Sequence, residues 1–128
     1  MLNHSYSLSV YYEDTDAAAL VYYANYLKFA ERARTNILQQ AGINQAELLT
    51  KELGFVVSEV NVKYHLPARL EDKLQVVTNL IKLGGATINL QQQIFRGETL
   101  LVNMQVKLAC IKKGIPCKIP DAVKKAFS

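Results

Sequence analysis

The densest group of reactive side chains is Glu13-Asp14-Thr15-Asp16, between an alternating apolar segment and the run Ala17 to Tyr23. A carboxylate in such a place can take a proton from water as a general base or attack an electrophilic carbon itself. It can equally cap a loop. From the residues alone, a loop or capping role for Asp16 comes ahead of chemistry, and Glu13 and Asp14 suit structural or solvated roles. Backbone N–H groups of the Leu20–Tyr23 turn, or of a helix starting just after it, can bind a developing oxyanion. Tyr12 stands at a strand end, where a tyrosine serves the core or donates a hydrogen bond. Tyr22, Tyr23 and Tyr26 suit an aromatic pocket wall or a subunit contact. Glu31, flanked by Arg32 and Arg34, reads as an ion-paired surface carboxylate, and His65 as a surface or dimer-contact histidine. His4 and His65 are the only histidines, which excludes a His-rich metal site within one chain. The sequence holds no Gly-rich phosphate loop, no His-Glu-x-x-His and no Gly-x-Ser-x-Gly. Cys110 and Cys117 are too few for a disulfide scaffold and read as two free thiols of a reducing compartment.

Periodicity supplies the elements that must position these groups. Residues 5–12 alternate, with Tyr6, Leu8, Val10 and Tyr12 on one face, and predict a half-buried strand. From Tyr26 to about Ala41 apolar residues recur at helical spacing (Phe29, Ala30, Ala33, Ile37, Leu38), with Asn25 as N-cap and Gly42 as the C-terminal glycine. Asn44 and Glu47 open a short helix expected to end near Gly54. The period then changes to two. A strand near 55–66 carries Val56, Val60, Val62, Tyr64 and Leu66 on one face, and Pro67 ends it. Three more strands follow, marked by Leu74–Leu80, Ile88–Ile94 and Leu100–Cys110 and separated by glycine turns. A last short helix is expected at 120–127.

Strands grouped after a helix indicate an α+β domain rather than βαβ winding. The layout is that of the hotdog fold: an antiparallel five-stranded sheet wrapped around one long central helix. The whole chain, 1–128, reads as one such domain. Its sheet edges need cover, and a homodimer with sheet beside sheet is the expected remedy.

The stretch Tyr11-Tyr-Glu-Asp-Thr-Asp-Ala-Ala-Ala-Leu-Val-Tyr-Tyr-Ala-Asn-Tyr-Leu-Lys-Phe-Ala-Glu-Arg-Ala-Arg34 resembles the signature of the Tol–Pal-associated acyl-CoA thioesterases. These belong to the 4-hydroxybenzoyl-CoA thioesterase branch of hotdog enzymes. Phe55-Val-Val, Tyr64-x-x-Pro67-Ala68-Arg69-Leu70-x-Asp72 and Ala109-Cys110 follow in the same order, so the likeness covers about residues 5–120. It implies hydrolysis of an acyl-CoA thioester without metal or cofactor. Position by position, it makes Asp16 the catalytic carboxylate, as general base or nucleophile, and Tyr12 an active-site tyrosine. Tyr23 falls where the family commonly has histidine, and a phenol with a pKa of about 10 donates a hydrogen bond but accepts a proton poorly. Ala17-Ala18-Ala19 stand where glycines are usual, and alanines are expected to keep positive φ out of that loop. Two alternatives remain open: hydrolysis of an aromatic acyl-CoA of hydroxynaphthoyl or hydroxybenzoyl type, and a non-catalytic module that binds acyl groups or an acyl carrier.

Composition bounds the rest. Half of the 128 residues are apolar and 20% are charged, which describes a globular domain. No apolar run reaches the roughly 18 residues of a membrane span. The N-terminus lacks the pattern of a signal peptide, so the expected location is the cytoplasm. The net charge of +4 is uneven. Residues 1–60 hold four basic and seven acidic side chains; the remainder holds eleven and four. The basic residues are mostly single, which disfavours a nucleic-acid partner. They suit solvated strand faces and the phosphates of CoA, with Arg69, Lys82 and Lys107 among those available. The expected assembly is a homodimer or homotetramer with active sites at subunit interfaces.

Overall fold

In the computed structural model, which describes residues 2–128, the first strand is shorter than its alternation suggests. β1 spans Asn3–Ser9, and the chain then turns through a single 3₁₀ turn at Tyr12–Asp14. Tyr12 therefore leaves the strand face on which periodicity put it, and its residue is 83% exposed. The helix α1 spans Asn25–Gln40. Its buried residues, Tyr26, Phe29, Ala30, Ala33, Ile37 and Leu38, form the stripe read from the sequence. Asn25 is not its cap: Ala24 holds that position without a side-chain bond, and Asn25 Nδ2 donates instead to Asp14 Oδ1 at 3.0 Å. At the other end Gly42 takes φ +77°, with Gly42 N–H on Gln39 O and Ile43 N–H on Leu38 O. That paired closure needs a left-handed residue, which glycine supplies without strain.

Asn44 caps α2, Gln45–Thr50, by accepting from the N–H groups of Ala46 and Glu47. This helix stops short of Gly54, which already lies in β2, Leu53–Tyr64. β3 (Lys73–Leu83), β4 (Thr87–Arg96) and β5 (Thr99–Lys112) complete the long strands. All pairings are antiparallel, in the order β1-β3-β4-β5-β2. A two-residue strand β6, Ile115–Pro116, pairs with the end of β5 and makes the sheet six-stranded rather than five. Two residues carry no period, so sequence patterning holds no sign of it. The last helix, α3, spans Asp121–Ala126.

The β2 face differs from the sequence reading for a geometric reason. The register with β5 shifts between Val57 and Glu59. Phe55 and Val57 oppose the buried Cys110 and Leu108, whereas Val60, Val62 and Tyr64 oppose the buried Val106, Met104 and Val102. Residues opposed across an antiparallel pair share a face, so Val57 joins that row and Val56 falls on the other side. A strict period of two cannot see a bulge.

The core lies between α1 and one face of the sheet, where Val76, Ile88, Leu90, Ile94, Val102 and Met104 are sealed. One polar group sits among them. Gln92 is fully buried, with Nε2 donating to Ala30 O of α1 and to Thr78 Oγ1 of β3, each at 3.0 Å. Its Oε1 accepts from Arg34 at 2.9 Å. Every hydrogen-bonding atom of that amide is occupied, as burial demands. The result fixes where α1 sits along the sheet. α1 is the only helix of seven or more residues among those described.

Candidate active site

Asp16 sits in a loop whose backbone folds back on itself. Its N–H donates to Leu20 O at 2.8 Å, and its carbonyl accepts from Ala19 N at 3.0 Å. Its carboxylate Oδ1 accepts from Ala18 N at 2.8 Å and from Leu20 N at 3.4 Å. Among the described residues no side chain or N–H engages Oδ2. The turn costs strain. Ala19 adopts φ +61°, against the expectation that alanine would keep positive φ out of this loop. The loop's own bonds and its neighbours hold it there.

Those neighbours are specific. Thr15 bridges Val21, and Leu20 bridges Arg69. Val21 N–H donates to Ala68 O at 2.9 Å, and Leu70 N–H to Ala19 O at 3.1 Å. The segment after β2 is thus stitched to the Asp16 loop. Asp14, one of the two other acidic residues, is 3% exposed and structural. Its carboxylate accepts from Tyr11 N and Asn25 Nδ2, and its carbonyl accepts from Tyr22 N, tying the 3₁₀ turn to the start of α1.

Between these segments lies a cleft of about 380 Å³. It is lined by Asp16, four tyrosines (Tyr22, Tyr23, Tyr26 and Tyr64), His65, and the apolar Leu20, Val21, Leu66 and Pro67. Tyr64 Oη donates to the carbonyl of Tyr23 at 3.0 Å, and Tyr26 Oη accepts from Ala68 N at 2.9 Å. The Tyr26 and Tyr64 rings pack 5.6 Å apart, and the Tyr22 and Tyr23 rings 4.8 Å apart. Burial pushes the Tyr26 phenol above its ordinary pKa, opposed by the Ala68 hydrogen bond and the Arg96 charge. Burial also raises Tyr64, reinforced by Tyr23 and Tyr26. The hydrogen bond with Tyr23 raises Tyr22. These three phenols therefore stay protonated in the neutral range.

Of the residues singled out from sequence, Asp16, Tyr22, Tyr23 and Tyr26 share this cleft, and Tyr12 does not line it. Tyr64, His65, Leu66 and Pro67 do line it and were not picked as site residues. The signal was there in Tyr64-x-x-Pro67-Ala68, a strand end followed by a proline, but nothing in its spacing relates it to Asp16. Among the candidate phosphate contacts, Arg69 adjoins the cleft through its bridge to Leu20. Lys82 and Lys107 both flank Asn89, on the sheet face opposite the core. Among the described residues no group of three or more His, Cys, Asp or Glu is arranged to hold a metal ion. No helix of the described residues is long and apolar enough to cross a membrane.

A curled antiparallel sheet with few helices, and a carboxylate loop stitched beside the start of α1, define a hotdog domain. A probable thioesterase from Bartonella henselae superposes with a TM-score of 0.88 at 34% identity, covering 92% of this chain and 99% of that one. The chain belongs to the Thioesterase-like superfamily, whose profile matches residues 10–127. It is 42% identical over 126 residues to the acyl-CoA thioesterase YbgC of Haemophilus influenzae, covering 96% of this chain and 93% of that protein. It is 37% identical over 121 residues to the acyl-CoA thioester hydrolase YbgC of an Escherichia coli strain, covering 92% and 90%.

Proposed function

We propose that this protein is an acyl-CoA thioesterase that hydrolyses the thioester to a free acid and CoA, with Asp16 as its reacting carboxylate. Full-length similarity to acyl-CoA thioesterases supports the reaction class. One observation carries the role of Asp16: the loop anchors Oδ1 through two N–H groups and leaves Oδ2 without a partner in a tyrosine-lined cleft. The anchoring orients the carboxylate and removes the rotational freedom it would otherwise lose on reaction.

Two routes fit. As general base, Asp16 takes a proton from water while the water oxygen bonds to the thioester carbon. The tetrahedral adduct then expels the CoA thiolate. As nucleophile, Asp16 bonds to that carbon and expels the thiolate first, and water then cleaves the mixed anhydride. Tyr23, in the cleft, serves as a phenol donor to substrate, whereas Tyr12 lies outside the cleft on the 3₁₀ turn and takes no part in the reaction. The phosphates of CoA are assigned to the basic later half of the chain, where Arg69 adjoins the cleft through its backbone bridge to Leu20.

The tyrosine lining favours a second reading, hydrolysis of an aromatic acyl-CoA, because ring stacking on phenols adds to apolar burial. The working unit is a homodimer or homotetramer joined at the β2 edge, and its place is the cytoplasm. Steady-state hydrolysis of a panel of aliphatic and aromatic acyl-CoAs tests the reaction. Wild-type turnover of at least one thioester is expected, with Asp16→Ala reducing kcat by about a hundredfold or more. Full activity in Asp16→Ala would sink the proposed role. Saturable acyl-CoA binding without turnover by the wild type would mark a non-catalytic binding module.

A further inference from the structure

The two free thiols read from the sequence are neighbours in the fold. Cys110 lies in β5 and Cys117 just past β6, and their Sγ atoms are 3.2 Å apart. The hairpin register explains it. Ile111 opposes Pro116 and Lys112 opposes Ile115, so the next pair outward is Cys110 with Cys117. Cys117 N–H donates to Cys110 O at 2.9 Å. Directly opposed residues of an antiparallel pair hold their Cα atoms about 4.5–5.5 Å apart, inside the range a disulfide accepts.

The two sites differ in access. Cys110 is fully buried, and Cys117 is part exposed. Burial and the adjacent Cys117 push the Cys110 thiol up to about 12, which keeps it protonated at rest. The same stretch of chain is basic, with Lys112, Lys113, Lys118, Lys124 and Lys125 against Asp121, and Glu52 of the neighbouring segment meets Lys113 at 3.9 Å. A positive field raises the local concentration of an anionic reagent. What lies beyond Cys117 matters to the core: Ile119, Val123 and Phe127 are each at most 2% exposed.

We propose that Cys110 and Cys117 form a reversible modification site, a dithiol that an anionic low-molecular-weight disulfide converts to an intramolecular disulfide. The Cys117 thiolate attacks one sulfur of the reagent, forming a mixed disulfide and releasing one small thiol. The Cys110 sulfur attacks the Cys117 sulfur as its proton passes to the departing small thiolate, and the second small thiol leaves. The protein gives up two protons and two electrons, and the small disulfide becomes two thiols. The bond closes the β5–β6 hairpin and staples the C-terminal segment to the sheet.

Glutathione disulfide is the probe, applied to the reduced full-length protein and read by intact mass, non-reducing electrophoresis and thermal unfolding. The mass is expected to fall by two hydrogens, the protein to remain free of intermolecular disulfides, and Tm to rise by a few degrees. Dithiothreitol is expected to reverse all of it. Cys110→Ser should stop at a stable glutathione adduct on Cys117, and Cys117→Ser should stay unmodified. Cys117→Ser removes a part-exposed thiol, so it remains a usable control if the buried substitution prevents folding. An unchanged wild-type mass, a persistent glutathione adduct, a disulfide-linked dimer or an unaltered Tm would overturn the proposal. None of these readouts depends on thioester turnover.

Discussion

At the scale of single residues, Ala19 is the most informative position in the candidate site. Its φ of +61° is a left-handed conformation that costs an alanine about 1 kcal/mol. Glycine would remove that strain but lose more chain entropy on folding, a partial offset. Ala19→Gly is therefore expected to raise unfolding stability by about 0.5 kcal/mol in urea titrations, with the m-value unchanged. A lower midpoint would mean that the methyl group packs in a way the strain argument omits. The likeness to the thioesterase signature, rather than residue type, picked Asp16 out of three neighbouring carboxylates. It could not show that Oδ1 is anchored by Ala18 and Leu20, since an alanine reading argues against the very turn that brings those N–H groups round. His65 was likewise legible as a residue and not as a cleft wall. Asp16, which lines the same cleft, is 49 positions away in the chain, and the bonds of Ala19, Leu20 and Val21 to the segment 68–70 bring the two together.

Elements were more legible than residues, and their errors have local causes. The α1 stripe and the five long strands follow from apolar period, which reports burial directly. The misread β2 face traces to the bulge near Ser58, and the misread cap to Asn25 spending its amide on Asp14. The junction of β4 with the segment before β3 rests on charge instead. Asp72 Oδ2 accepts from Arg69 N at 2.9 Å and from Arg96 at 2.8 Å. Burial opposes ionisation of Asp72, but the Arg69 N–H and the Arg96 guanidinium outweigh it and hold the carboxyl below its usual value of 3.8. A carboxyl depressed in the folded state stabilises fully above its unfolded pKa, and that contribution is lost as pH falls through the folded value. Asp72→Asn should cost no more than about 1 kcal/mol at pH 7, because both partners are part exposed. The difference from wild type should shrink below about pH 4. Denaturant unfolding at a series of pH values checks this, and a difference that persists undiminished at pH 2 would contradict it.

At the scale of the whole molecule, the sheet is unfinished. β2 is a 12-residue strand at the end of the sheet order, and Val56, Val57, Val60 and Tyr64 on it are each exposed by more than a third. A long apolar edge of this kind invites pairing with a second chain. Sedimentation velocity at micromolar concentration should find the wild type as a dimer or tetramer. Val57→Lys with Val60→Lys should shift it to monomer with its far-UV spectrum retained. A monomeric wild type would remove the β2 interface from consideration.

The stitching between the Asp16 loop and the segment after β2 has a consequence for how such a protein can change over time. Surface loops ordinarily tolerate insertions, because lengthening a flexible connection costs little entropy. Here Thr15 faces Val21, Leu20 faces Arg69, and Val21 and Ala19 bond to Ala68 and Leu70. One added or deleted residue in either segment would slide every later bond by a step and turn the carboxylate away from its cleft. Length, usually the freest variable of a connecting segment, is held here more tightly than residue identity. Related chains can therefore trade side chains around the cleft far more readily than they can gain or lose residues between Asp16 and Tyr22, or between Tyr64 and Asp72.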